Sequence, residues 1–444
     1  MKIGLYGGMA NNMYVFAKEL AVHGIDVCQV RDRGDLFALS QPSWEDLDTT
    51  LDYAEVVQSS SWTVWQWTEW EHDHGWEAPA WLVEPGPAAP ADSLIDGSLR
   101  GPLRMLVKSY LSARPHLLGA LTRLRDCDGV FSGSVDGHIM AMASGRPYVL
   151  MPHGADIRIA GGLHRPPFWP PRSWLRHQGL AMLLKEAFLR ASAVGQHDAT
   201  GQGGHVGSVE PLMRQLRHIY LTLPTRTYER ASPTQRRAML AEVCTDSDIV
   251  APDARIVALA PARVDFHWKG QDRLLRALTQ FGPKDVHVIF PGWGADYERA
   301  RQLAVELGVG EQVTFLKSCL SKQRLYRFIN AADMVIDQFL FGHHGTTFVE
   351  AMARGCPVMV GINEEKFTAV GRPVPPVLNA KDTQDITRHL RDILSGRVDL
   401  ERMGLDCQPY AQAFHGSGTL TKILRDTLTG SLQPSVFGAR QAGI

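Results

Sequence analysis

Two basic side chains, one glycine turn and one carboxylate, all in the second half of the chain, have the types and spacing to bind a phosphorylated ligand. Arg263 and Lys269 lie in Ala262-Arg-Val-Asp-Phe-His-Trp-Lys-Gly270. A guanidinium and an ammonium on one loop can hold a diphosphate and stabilise the charge that develops on it as it leaves. A solvated basic loop is the plainer alternative. Gly345, Thr346 and Thr347 open a stretch with helical apolar spacing. Free N–H groups and the helix dipole favour phosphate at such a start. Glu350, one turn on, can accept hydrogen bonds from ribose hydroxyls or simply serve the dipole.

The first half offers looser candidates. In Pro152-His-Gly-Ala-Asp156, His153 can hydrogen-bond a sugar hydroxyl or a leaving phosphate, and Asp156 can bind or deprotonate an acceptor. Gly7-Gly8 is followed by Asn11-Asn12, so that the Gly8 N–H and both amides could approach a reacting centre. The glycine spacing is not G-x-G-x-x-G, which argues against a dinucleotide site. Adjacent His343 and His344 rarely point the same way and have no evident third ligand, so no metal is expected.

Trp62, Trp65, Trp67, Trp70, Trp76 and Trp81 make up more than half of the chain's 11 tryptophans. Their faces could stack on sugars or aromatic acceptors, or form a lid packed on the first domain. Arg165 to Arg190, with Phe168, Trp169 and Trp174, is the stretch that suits a membrane surface, although Pro167, Pro170 and Pro171 break it.

The elements that must position these groups are legible as alternating strands and helices. Lys2–Tyr6, a Gly-Gly turn, a helix over 12–23 and a strand over 26–30 form a βαβ unit. Strands are expected at 129–131, 148–151, 193–195 and 218–221. The second half predicts strands at 256–260, 286–290, 313–316, 334–336 and 357–360, with helices between them. The fold class is α/β: two doubly wound Rossmann-like domains, 1–225 and 226–405, face a central cleft. A helical C-terminal segment, 406–444, follows and could cross back to the first domain.

Composition agrees with a large globular protein. The chain has 444 residues, 44% of them apolar and 21% charged, enough for two or three cores. A formal net charge of -1 gives no reason to expect nucleic acid. Six scattered cysteines without a C-x-x-C pair fit a reducing compartment, and no run of about 18 apolar residues suggests a spanning helix.

Arg263, Lys269-Gly270, Pro291-Gly-Trp-Gly294, Ala332-Asp-Met-Val335 and Glu350-Ala-Met-Ala-Arg-Gly-Cys-Pro-Val358 together resemble the carboxy-terminal half of retaining GT-B glycosyltransferases of family 4 (glycosyl transferases group 1). The resemblance is good over 255–362. It implies that Arg263 and Lys269 bind the donor diphosphate, aided by the 345–347 backbone and Gly8, that Glu350 binds the ribose, and that His153 lies near the transferred sugar. It further implies transfer from a UDP- or GDP-sugar to an acceptor hydroxyl with retained configuration, with no cofactor and no bound metal. The acceptor could be a small molecule, a glycan or a lipid-linked sugar. A cytoplasmic enzyme is expected, with peripheral contact at the inner membrane face left open.

One departure stands out. The family usually has a second glutamate eight positions before the Glu350 equivalent, and here that place is Gly342. Asn11, Asn12, Asp156, His343, Gln338 or Asp337 would then have to meet the donor sugar or acceptor. Two alternatives stay open: a nucleotide-sugar epimerase or phosphorylase on the same scaffold, or a catalytically silent sugar-nucleotide-binding protein.

Overall fold

The computed structural model describes residues 1–8, 11–162, 171–196, 211–221, 223–340, 342, 345–369, 372–432 and 435–436. Its first lobe is built on strands β1 (Lys2–Tyr6), β2 (Asp26–Val30), β4 (Leu82–Val83), β5 (Gly129–Ser132), β6 (Tyr148–Leu150), β7 (Ala193–Gln196) and β8 (Arg217–Tyr220), with β3 (Thr50–Asp52) standing apart. The second lobe uses β9 (Ile256–Leu259), β10 (Val286–Phe290), β11 (Val313–Phe315), β13 (Met334–Ile336), β14 (Val358–Val360) and β15 (Leu378–Asn379), with β12 (Ser318–Leu320) outside its sheet. A last strand, β16 (Ser435–Val436), returns to the first sheet beside β8.

Neighbouring residues of each central strand face opposite cores. Phe131 packs with Ile3, Leu5 and Phe16 on one side, whereas Val130 packs with Leu121, Ile139 and Leu150 on the other. Val257 and Leu259 likewise separate from Ile256 and Ala258. Apolar residues at consecutive positions therefore produce sheets covered by helices on both faces, as parallel sheets require.

Strand order fixes where a ligand can enter. The first sheet runs β16-β8-β7-β6-β5-β1-β2-β4 and the second β11-β10-β9-β13-β14-β15. Strand order reverses between β1 and β5 in one lobe and between β9 and β13 in the other. A crevice opens at the carboxyl ends of such strand pairs, because the connections there diverge to opposite faces.

Among the described residues, backbone contacts join the lobes at two places, and side-chain contacts such as Arg372 over the Tyr220 ring add to them. The chain passes between them near Thr225 and returns at Gly416. There Thr225 N–H donates to His415 O at 2.8 Å and Ser417 N–H to Thr225 O at 3.2 Å. Helix Leu400–His415 belongs to the second lobe, burying Cys407, Tyr410 and Ala411. Helix Ser417–Leu428 belongs to the first, where Leu420, Leu424 and Leu428 join the core of Ile3 and Phe131. The crossing is thus at Gly416, inside the segment that sequence reading began at 406. The second contact is an antiparallel pair between β3 of the first lobe and β12 of the second, with Leu51 opposite Cys319.

Trp44 and Trp67 are buried against Leu51, Val56 and Cys319, with Trp62, Trp70 and Trp293 packed around them. Part of the tryptophan-rich region therefore packs across the lobes and not on the first domain alone. No helix among the described residues is long and apolar enough to cross a membrane. Phe168 and Trp169 lie outside the described residues, as does the side chain of Trp174.

Candidate active site

The loop after β9 carries Arg263 and Lys269, and its shape is held from several sides. Val264 N–H donates to Trp293 O at 2.9 Å, and Asp296 N–H to Val264 O at 3.1 Å. Gly294 is required at that contact, since a Cβ there would collide with the Val264 backbone. Asp265 Oδ1 accepts from Trp268 N–H at 3.0 Å, while Gln271 bonds both Asp265 N–H and Arg263 O. The turn therefore reaches Lys269 in a defined orientation.

Lys269 Nζ donates to Gln338 Oε1 at 2.6 Å, on the loop that follows β13. Burial pulls its pKa below the usual lysine value, against the attraction of Asp337. Asp337 Oδ2 in turn lies 3.4 Å from where a Gly345 Cβ would be. Lys269, Asp337, Gln338 and Gly345 thus meet at one corner, at the switch between β9 and β13. Arg263 is looser: its side chain is 44% exposed and its Nε sits 3.3 Å from Asp265 Oδ2.

Gly345 is the N-cap of helix Thr346–Ala353, with extended backbone and no side chain capping it. Gly345 therefore offers no side-chain acceptor to the Thr346 and Thr347 N–H groups. The helix is fixed from behind by Phe348, Ala351 and Met352, all fully buried. Glu350, on its second turn, is 7% exposed. Lys322 Nζ donates to its Oε1 at 3.0 Å and Tyr326 Oη to the same oxygen at 2.9 Å. The carboxylate expected to stand ready for a ribose is already engaged by the protein's own cation.

In the first lobe, Gly7, Gly133 and His153 converge at the carboxyl ends of β1, β5 and β6. A Cβ on Gly7 would lie 3.0 Å from the Gly133 carbonyl carbon, and one on Gly133 3.1 Å from His153 Nε2. Gly8 is beside Asp35, with 3.2 Å between a would-be Cβ and Oδ2. Burial lowers the His153 pKa, more than Asp156 raises it. A neutral imidazole follows at neutral pH, suited to hydrogen bonding and not to charge neutralisation.

Several expected ligands have other partners. Asp156 is 3% exposed and accepts from the N–H groups of His153, Gly154 and Ile157 and from His138 Nε2 at 3.0 Å. Burial opposes its ionisation, but these contacts outweigh it and hold the carboxyl below its ordinary pKa. Asp156 thus fixes the turn that presents His153. Gln338 is likewise engaged by Lys269. Asn11, at φ 55, donates its amide to Gln41 O at 2.7 Å and Leu39 O at 3.2 Å. Asn12 is a buried helix residue. His343 lies outside the described residues.

Gly342 has φ +69 and bridges Ile362. That backbone conformation disfavours a glutamate at this position. Sequence reasoning missed Lys322, Tyr326, Glu45 and Asp35. The i, i+4 placement of Lys322 and Tyr326 on one helix was the available signal for a cation and a hydroxyl acting together.

The architecture, two Rossmann-like lobes with helices on both sheet faces and a cleft at the strands' carboxyl ends, is the GT-B fold. Solved structures of the Anabaena protein HepE in complex with UDP-glucose and of sucrose-phosphate synthase from Thermosynechococcus elongatus superpose with a TM-score of 0.58 each. Identities are 15% and 14%, over 97% of this chain and 100% of theirs, a likeness of fold. Residues 247–404, within the second lobe, match the family described as Glycosyl transferases group 1. The D-inositol 3-phosphate glycosyltransferase of Nocardia farcinica is 30% identical over 211 residues, 45% of this chain. The match likewise spans 45% of that relative, a little under half its length.

Proposed function

We propose that this protein is a glycosyltransferase that moves a sugar from a nucleotide-sugar donor to an acceptor hydroxyl with retention of configuration and without a bound metal. The observation that carries the reading is the corner where Lys269 and the helix start at Gly345 meet through Asp337 and Gln338. A diphosphate placed there would meet the Lys269 ammonium, the Thr346 and Thr347 N–H groups and, after a side-chain rotation, Arg263. As the bond from the sugar's anomeric carbon to the phosphate oxygen breaks, these groups stabilise the charge left on the phosphate. The acceptor oxygen bonds to the same face of that carbon, and its proton passes to the leaving phosphate. His153, neutral and presented by Asp156, hydrogen-bonds a sugar hydroxyl, and Gly8 lets donor phosphate approach the backbone. Glu350 receives the ribose.

HepE, which shares the fold, was solved with UDP-glucose bound, and this makes UDP-glucose the first donor to test and GDP-sugars the second. A cytoplasmic setting and a small-molecule, glycan or lipid-linked acceptor belong to the same proposal. The test is calorimetric titration of the wild type, Lys269→Ala and Arg263→Ala with UDP, GDP and pyrophosphate. Lys269→Ala should weaken all diphosphates by about 1.5–3 kcal/mol, with a smaller loss for the more exposed Arg263. Unchanged affinity in both variants would falsify the assignment. Turnover of the wild type should persist in a chelator.

Gly342 favours a second reading, a sugar-nucleotide-binding protein without turnover. Tight nucleotide binding with no sugar transfer or hydrolysis from any donor in a panel would select it.

A further inference from the structure

The surroundings of Lys322 carry an inference that rests on the reading of Glu350 as the ribose ligand. On one side its ammonium is bonded to Glu350, 3.0 Å from Oε1 and 3.3 Å from Oε2. On the other side lies the first lobe. Gln323 Nε2 donates to Glu45 O at 2.9 Å. Thr49 N–H donates to Ser321 Oγ at 2.9 Å, and Ser321 N–H to Thr49 O at 3.0 Å. Asp48 pairs with both Arg324 and Arg327. These contacts seat helix Pro42–Asp46 on the helix that Lys322 begins.

Glu45 is 5% exposed in that seat. Burial pushes its carboxyl up to about 7, with Lys322 as the leading attraction opposing, Glu350 and Asp46 adding to the rise, and Lys18 reducing it. Lys322 is lowered by burial, but Glu350 and then Glu45 outweigh this and raise it. With Arg354 donating to the Glu350 carbonyl O at 3.3 Å, the Lys322 ammonium acts on two buried carboxyls, Glu350 in hydrogen-bond contact and Glu45 across the lobe seam. It can fully compensate only one of them, and the other stays protonated near neutrality.

We propose that Lys322 is a positioning residue shared by the two lobes, holding Glu350 in the empty site and passing to Glu45 when ribose hydroxyls take Glu350. The exchange couples nucleoside binding to the docked arrangement of the lobes. Its balance is simple: ribose hydroxyls replace the ammonium at Glu350, the ammonium pairs with Glu45, and the proton leaving Glu45 goes to solvent. A bare pyrophosphate, which has no ribose, does not trigger it.

The experiment titrates the full chain, as wild type and as Glu45→Gln, with UDP, GDP and pyrophosphate at pH 6 in two buffers of different ionisation enthalpy. Beyond the phosphate protons that each ligand itself gives up, for the wild type we expect a proton released whichever nucleotide binds, and none with pyrophosphate. Glu45→Gln keeps the side chain's shape, folds, and should lose the proton release. Its nucleotide affinity should fall by about tenfold with pyrophosphate affinity unchanged, since the moved ammonium has lost its charged partner. Equal proton release in wild type and variant overturns the exchange, as does nucleotide affinity that the substitution leaves unmoved. Wild-type binding of pyrophosphate but of no nucleotide removes the ribose role of Glu350, and the exchange with it. Binding of none of the three removes the diphosphate site itself.

Discussion

The two ends of one short helix differ in how they meet a ligand. At its start, Gly345 supplies no capping side chain, and Lys269 lies near, held through Gln338. One turn later, Glu350 is closed over by Lys322 and Tyr326 and roofed by the first lobe. The difference teaches that preorganisation is local. A phosphate would meet donors that need little rearrangement, whereas a ribose would have to compete with an internal ion pair for the same oxygens. Both ends share one rigid support, so their contrast comes from neighbours and not from the helix.

The sharpest way to break the contrast is to remove that support. Phe348 is fully buried beneath the helix, and Phe348→Ala should cost about 3–5 kcal/mol in chemical denaturation. It should weaken pyrophosphate and nucleotides together, because both ends move; a loss confined to nucleotides would show that the two ends do not depend on one scaffold. A somewhat smaller effect isolates the closed end. Glu45 has its carboxyl raised from 4.5 to about 7 in the folded state. The folded form therefore holds a proton that the unfolded form has given up between those values. Stability from this group is complete below about pH 4.5 and is lost as pH rises through 7, a change of about 3 kcal/mol. Thermal melts of Glu45→Gln against wild type across pH 5 to 8 should show the variant's profile the flatter of the two, and parallel profiles would contradict the burial argument.

The smallest effect concerns the turn before the helix. Gly342→Glu restores the residue type that the resemblance leads one to expect. At φ +69 it should cost about 1–2 kcal/mol, read as a lower Tm. A variant as stable as the wild type would mean the turn readjusts freely.

Much of this was legible in the sequence. β1, β2, β10 and β13 have the bounds that apolar runs and flanking glycines predict, because a strand buried on both faces is written as a local apolar run. The approach of Lys269 to Gly345 has a related origin: each lies on the connection that follows a predicted strand, and those strands, β9 and β13, are parallel neighbours. The closed end was not legible. Lys322 precedes Glu350 by 28 residues, and Glu45 lies in the other lobe, so no local pattern links them. β3 and β12 are three residues each and make sense as strands only when paired across the lobes. Asp156 shows the same limit: its type and position suit catalysis, and the donors that surround it in the fold could not be read from sequence.

By itself, the sequence determined two α/β lobes and named the groups expected at their facing edges, since apolar periodicity and glycine turns are properties of short stretches. Which of those groups stand free was decided by tertiary structure alone. Burial and charge pairing depend on segments hundreds of residues apart, and it is their meeting at Lys322 that turns an exposed-looking glutamate into one half of a buried ion pair.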